Sequence, residues 1–265
     1  MTAPALVMLS HGDPDHRVIE VTHRLRVGLQ TMRPELEVNA AFLDCCRPTG
    51  PQAVAQLTAR GVREVVFVPL HLGSAIGHGR AVDEVTAACR AAHPGARFAV
   101  ARPIGPEARL LSVLDVRLRA ALASAHATEL DGLVLSAAGP AEVRATALLA
   151  RRARRWGAHH RLVSATAVSD EPGAGVAAAL AGLREQGRRH IAVGSFYLTA
   201  DRFYEAQART ALRHGAVAVS RPIGPDEAVF DAVLARYSFA AMNLLNLDEA
   251  ASDEAAGCGR TPTVD

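Results

Sequence analysis

The 265-residue chain is poor in aromatic residues, which make up 4% of it, and its four cysteines show no C-x-x-C spacing. Scarce aromatics leave the core to Ala, Val and Leu, in a chain that is 49% apolar. Cys45, Cys46, Cys89 and Cys258 are too few and too irregularly placed for a disulfide framework or a thiolate metal cage. They read as incidental thiols of a reduced, cytoplasmic protein. A formal net charge of only +2 excludes the basic footprint of a nucleic-acid binder. No apolar run reaches the length that crosses a bilayer. Residues 1–12 lack the basic start and apolar stretch of a secretory signal.

What the chain does contain is an internal echo. "LVMLSHGDP" at 6–14 returns as "LVLSAAGP" at 133–140, and "RGVREVVFVPLHLGS" at 60–74 as "QGRRHIAVGSFYLTA" at 186–200. Ser10 and Ser136, like Gly61 and Gly187, are 126 residues apart. "RPIGPEARLLSVL" at 102–114 returns as "RPIGPDEAVFDAVL" at 221–234, at a spacing of 119 between Arg102 and Arg221. Two copies are too few for a solenoid. They predict two homologous lobes, 1–126 and 127–243.

Within the first copy, short apolar runs predict strands near 5–10, 37–43, 63–69 and 96–101. Amphipathic stretches predict helices near 15–31, 50–60, 79–92 and 107–125. The second copy repeats that order from Leu133 to about Met242. Apolar strands bounded by helices imply an α/β fold, each lobe a roughly four-stranded parallel sheet covered on both faces. Residues 244–265 are acidic and rich in small residues, without a sustained apolar period, and read as a disordered tail.

Ligands of parallel α/β sheets sit at the carboxyl ends of the strands. There the first copy carries His11 in "SHGDP", Asp44 in "AFLDCCRP", and His71 and His78 in "PLHLGSAIGHGR". Imidazole binds first-row transition metals and titrates near neutral pH, and a carboxylate beside it can share proton transfer. Each residue also has a plainer role open to it. His11 can cap the following helix. His71 lies inside the apolar run "VFVPLHL" and reads as a satisfied core histidine. His78 stands between Gly77 and Gly79, in a loop suited to close approach, which favours function. The other eight histidines read as solvated. At spacing 126, His11 becomes Ala137 and His71 becomes Tyr197, so the second copy keeps the frame without the imidazoles.

These motifs together resemble the sirohydrochlorin chelatase family of cobalt- and iron-inserting enzymes. Ser10-His11-Gly12-Asp13 is similar to its G-H-G-S. Phe42-Leu43-Asp44, followed by Pro48, is similar to its F-L-E…P. Val68-Pro69-Leu70-His71-Leu72, then Gly77-His78 and Asp83, is similar to its V-P-L-F-L…G-H…D. Asp44 is shorter than the family's glutamate, Asp13 replaces a small hydroxyl residue, and the loop before His78 is one residue longer. The resemblance covers about 1–240. It implies insertion of Co2+ or Fe2+ into sirohydrochlorin, for cobalamin or siroheme, with the metal as substrate and no tightly bound cofactor. His11 and His78 would handle the metal, with His71 as the alternative second ligand and Asp44 as acidic partner. Arg17 and Arg80, with Arg102 and Arg221, either pair with carboxylates of the tetrapyrrole or are solvated. Tyr197, Phe203 and Tyr204 either stack on the macrocycle or fill the interface between lobes. The other reading of the same fold is a non-catalytic carrier of tetrapyrrole or metal. No nucleic-acid or membrane partner is expected, and two fused lobes suit a monomer.

Overall fold

The computed structural model describes residues 3–73, 79–139, 143–169, 171 and 173–257, with the side chains of the last helix described as far as Leu244. The first half runs β1 (Ala5–Ser10), α1 (His16–Met32), β2 (Val38–Phe42), α2 (Gly50–Ala59), β3 (Glu64–Pro69), α3 (Arg80–Ala92), β4 (Arg97–Val100) and α4 (Ala108–Ser124). The second runs β5 (Gly132–Ala138), α5 (Val143–His160), β6 (Val163–Ser169), α6 (Ala174–Glu185), β7 (Ile191–Ser195), α7 (Arg202–Arg213), β8 (Ala218–Val219) and α8 (Glu227–Gly257). The strands form two four-stranded sheets of the same order, β2-β1-β3-β4 and β6-β5-β7-β8. All pairings are parallel.

Local chemistry sets the boundaries. The Asp15 side chain accepts from the Arg17 N–H and starts α1, whose buried stripe is Val18, Thr22, Leu25 and Leu29. Thr49 and Gln52 form a reciprocal capping box at α2, with a proline in its first turn. The period of two splits each strand between two cores. Ala5, Val7 and Leu9 of β1, with Val65 and Phe67 of β3, join Val54, Leu57 and Val82 on the outer face. Leu6, Met8, Val66 and Val68 face a core shared by both halves. Val134, Ile191 and Val193 form the matching outer core of the second sheet.

The shared core exists because the fourth helices are exchanged. α4 packs on β7 and β8, whereas α8 packs on β3 and β4. Leu114 of α4 reaches Gly194 of β7, where an added Cβ would fall 3.1 Å from it. Arg117 donates to the Ile223 carbonyl at 3.3 Å. In return, Arg236 donates to the Pro103 carbonyl at 3.0 Å and the Tyr237 hydroxyl to the Pro4 carbonyl at 2.6 Å. The division near residue 126 therefore separates the repeats but not the packing.

The C-terminal end also differs from expectation. α8 continues to Gly257, so the disordered tail expected from residue 244 is helical that far. The segment after Leu244 lacks Gly and Pro until Gly257 and is rich in Ala, Leu and Glu, so it can extend a helix already docked through Tyr237, Ala240 and Leu244. Residues 258–265, including Cys258, lie outside the described residues. No helix among the described residues is long and apolar enough to cross a membrane.

Candidate active site

The register of the first sheet decides which side chains meet. Ser10 lies opposite Phe42 and Leu9 opposite Pro69, so β1, β2 and β3 end at one edge. Two backbone bonds carry that alignment into the loops, Leu43 N–H to the Ser10 carbonyl at 2.9 Å and Leu70 N–H to the Leu9 carbonyl at 2.8 Å. His11, Asp44 and His71 follow directly. The Nδ1 of His11 stands 3.3 Å from Asp44 Oδ2, while Asp44 Oδ1 accepts from the Gly12 N–H. That approach requires glycine, because a Cβ at position 12 would lie 2.9 Å from both Asp44 Oδ1 and Cys46 Sγ. In the tautomer that donates Nδ1–H to Asp44, His11 keeps a lone pair on Nε2.

His71 is not the packed core residue that its apolar run suggests. β3 ends at Pro69, and the ring of His71 stacks on that of His11 with centroids 4.8 Å apart and planes 7° from parallel. Its carbonyl accepts from the Gly105 N–H at 3.0 Å. The second lobe repeats this support, with Ile223 N–H bonded to the Tyr197 carbonyl at 2.8 Å and Gly224 N–H to the Leu198 carbonyl at 3.1 Å. The repeated "RPIGP" thus holds the loop after the third strand of each lobe, and with it His71 or Tyr197. His78 lies outside the described residues.

Both lobes contribute to a cavity of about 440 Å³. Ser10, His11, Asp13, Asp44 and His71 line it from the first lobe, and Phe196, Tyr197, Asp201, Arg202 and Phe203 from the second. Tyr197 is buried, its hydroxyl 3.5 Å from Ser136 Oγ, and burial pushes its pKa up to about 12. Tyr204 packs edge-on to Tyr197 at 6.1 Å and does not line the cavity; burial raises it as well. Both stay neutral aromatic surfaces near neutral pH.

The expected arginines are elsewhere. Arg17 is fixed by Asp15 at 2.5 Å and by Glu205 of α7 at 2.7 Å, and these bonds raise its pKa further. The same hydrogen bonding lowers Asp15 to about 2. Arg80 is 91% exposed and pairs with Glu84 at 2.9 Å. Neither lines the cavity, nor do Arg102 and Arg221. His160 departs from the solvated reading: it is 23% exposed, with Nε2 2.6 Å from Asp115 Oδ1.

Three charged residues of the wall, Asp13, Asp201 and Arg202, were not expected from sequence as site residues. Asp201 accepts from the Tyr204 N–H at 2.9 Å as N-cap of α7; burial, then the nearby negative charge of Asp13, raises its pKa. The one sequence signal for Asp201 and Arg202 is "TADRF", placed by the repeat where the first copy has its own site loop, while Asp13 stands in "SHGDP" beside His11. Among the described residues, no group of three or more His, Cys, Asp or Glu side chains is placed to hold a metal ion. His11, His71 and Asp44 meet instead at one edge of the first sheet, on the cavity wall.

Residues 5–121 match the CbiX family model. SirB from Bacillus subtilis with Fe3+ superposes with a TM-score of 0.74 at 16% identity, covering 92% of this chain and 98% of that one. The sirohydrochlorin chelatase SirB from Bacillus subtilis subspecies spizizenii in complex with cobalt gives 0.71 at 15% identity, covering 91% and 96%. A multi-domain protein from Deinococcus radiodurans, with structural similarity to chelatases and two additional domains, gives 0.60 at 19% identity, covering 89% of this chain and 55% of that one. Comparison with curated proteins gives no match. The family model thus matches less than half of the chain, residues 5–121, and the two-lobed fold of the whole chain is like that of the SirB structures.

Proposed function

We propose that this chain inserts a divalent metal ion, Co2+ or Fe2+, into a sirohydrochlorin-type tetrapyrrole in the cytoplasm. The observation that carries this reading is the His11 ring, held by Asp44 at 3.3 Å and stacked on His71 at 4.8 Å, on the wall of a cavity large enough for a small-molecule ligand. The metal is substrate here. His11 Nε2, with a second imidazole from His71 or His78, presents the ion to the ring nitrogens. As the ion moves to the macrocycle, two pyrrole N–H protons must leave. The imidazole just freed of metal can take one of them, and Asp44, already beside Nδ1, stabilises the imidazolium that forms. The second imidazole or bulk water takes the other. Tyr197 and Phe203 offer faces against which a flat ring can lie.

The test is anaerobic mixing of the purified protein with sirohydrochlorin and Co2+ or Fe2+, followed by absorbance. Turnover well above the uncatalysed rate is expected. Stoichiometric binding of either component without turnover would instead identify a carrier, and failure to bind the tetrapyrrole would overturn both readings.

A further inference from the structure

The chain contains no lysine, so all 29 of its formally basic residues are arginines. Among the described residues, Arg202 alone of these lines the cavity, where it stands among three carboxylates, Asp13, Asp44 and Asp201. Such an interior suits a cation and repels the carboxylates of a polyacidic macrocycle. Those carboxylates must therefore remain at the mouth, in contact with water, and recognition of them has to occur there.

Arg202 is well placed to recognise them. It is the first residue of α7, and its side chain is 71% exposed at the rim. Its guanidinium carbon sits 5.1 Å from the centroid of the Phe203 ring, which holds the planar group in place. Its Nε is 4.0 Å from Asp13 Oδ2, too far for a hydrogen bond. Among the described residues, the guanidinium donates no hydrogen bond. Asp13, for its part, already accepts from the Asp15 N–H at 2.9 Å and is nearly buried. Arg17 offers the contrast, since its guanidinium is committed to two carboxylates at 2.5 and 2.7 Å.

We infer that Arg202 is a specificity-determining residue that exchanges its loose partner Asp13 for a peripheral carboxylate of the incoming tetrapyrrole, so that the second lobe selects polycarboxylated rings. This rests on the chelatase reading above. The preorganised planar fork suits bidentate carboxylate recognition, and its exposure keeps the gain moderate.

The experiment uses the full chain and two metal-free fluorescent porphyrins, one with eight carboxylates and one with a tetracationic periphery. Arg202→Gln should weaken the octacarboxylate by about three- to tenfold, the scale of one partly screened charge contact. It should leave the tetracationic ring unchanged or bound more tightly. Arg202→Lys should restore part of the loss, and Asp13→Asn, which frees the guanidinium, should bind the octacarboxylate at least as well as the parent. With sirohydrochlorin as substrate, the Gln variant should show the effect in KM with kcat retained. Equal loss for both porphyrins would show a merely structural role, and an unchanged octacarboxylate affinity would remove Arg202 from recognition; either result overturns the inference and leaves the chelatase reading standing. If the parent protein binds neither sirohydrochlorin nor the octacarboxylate, the chelatase reading fails and the inference with it.

Discussion

Gly105→Ala probes the link between the repeated turn and the site. A Cβ at position 105 would lie 2.3 Å from the Leu72 carbonyl oxygen, 2.6 Å from its Cα and 2.8 Å from its carbonyl carbon. Ordinary contact begins near 3.4 Å, so one backbone segment must move by about 1 Å. No flexible side chain is available to absorb the shift. Overpacking of this kind costs about 1–3 kcal/mol, and the backbone clash places this case at the upper end. For a chain of this size that lowers the thermal midpoint by about 4–10 °C. The displaced atoms adjoin His71, whose carbonyl is bonded to the Gly105 N–H. A comparable shift of His71 away from His11 would lower turnover by as much as about 10²-fold. Gly224, the counterpart in the second lobe, is the control. It has φ of +71° and nothing within 4 Å of an added Cβ. Gly224→Ala should therefore cost about 1–2 kcal/mol of backbone strain and leave turnover near the parent value. Calorimetry and anaerobic Co2+ insertion, measured well below both midpoints, would read the two effects separately. A Gly105→Ala protein with parental midpoint and turnover, or a Gly224→Ala protein that loses turnover equally, would refute the reasoning.

Further expectations concern the imidazoles, the α7 cap and the C-terminus. His11→Ala should lower metal insertion by about 10²–10⁴-fold with the circular dichroism unchanged, because its half-exposed ring supports no core; near-normal turnover in a folded variant would sink this. His71→Phe should keep the midpoint but lose at least about tenfold in turnover if the stack with His11 is functional; full activity there, with loss in His78→Ala, would restore the order expected from sequence. Asp201→Asn tests the raised carboxyl. A folded pKa above the unfolded value, about 3.9, means that this group favours folding below that pH and that the contribution is lost as pH rises through the folded value. Asn caps helices comparably, so the variant should melt higher near neutral pH, and the advantage should vanish in acid; an advantage independent of pH would contradict the assignment. Removal of residues 247–265 should alter neither midpoint nor turnover, because Tyr237, Ala240 and Leu244, which anchor α8 in the shared core, are all retained; a large loss would show that the distal helix contributes.

Much of the fold was legible because its signals are local. Strands such as β1 and β3 are short apolar runs, and Asp15 and Thr49 mark helix starts within a residue of the expected positions. The joining of His11 and Asp44 followed from one general rule, that loops at the carboxyl ends of parallel strands meet. The exchange of α4 and α8 could not be read in the same way. "RPIGPEARLLSVL" and "RPIGPDEAVFDAVL" have nearly the same apolar pattern, so nothing in either states which sheet it covers. The partner of Arg17 is hidden for a related reason: Glu205 lies 188 residues away, and no local pattern shows that pair. The place of His71 is hidden because an apolar run does not show where a strand stops: Pro69 ends β3 two residues before the histidine, whose ring then meets that of His11.

The two lobes divide the work of one site because a common frame presents different side chains. The "RPIGP" turn holds His71 in the first lobe and Tyr197 in the second, so the cavity walls are related by the repeat but differ in chemistry. Tyr197, pushed up to about 12 and set beside Ser136, offers no anion to a metal near neutral pH. Phe196, Leu198 and Ala138 continue that wall as an apolar surface. What the second lobe adds is shape, an aromatic face and the charged pair at the start of α7. In the proposed reaction, such a division requires the two walls to keep their spacing while an ion and a ring pass between them. The exchanged helices provide this. α4 leaves the first sheet to cover β7 and β8, and α8 returns to cover β3 and β4, so Val66 and Val68 share one core with Leu133 and Ala192. Moving either wall on its own would tear apolar surface from that core, into which the loop that carries His71 is itself tied through Leu70 and Leu72, and the matching loop of the second lobe through Phe196 and Leu198.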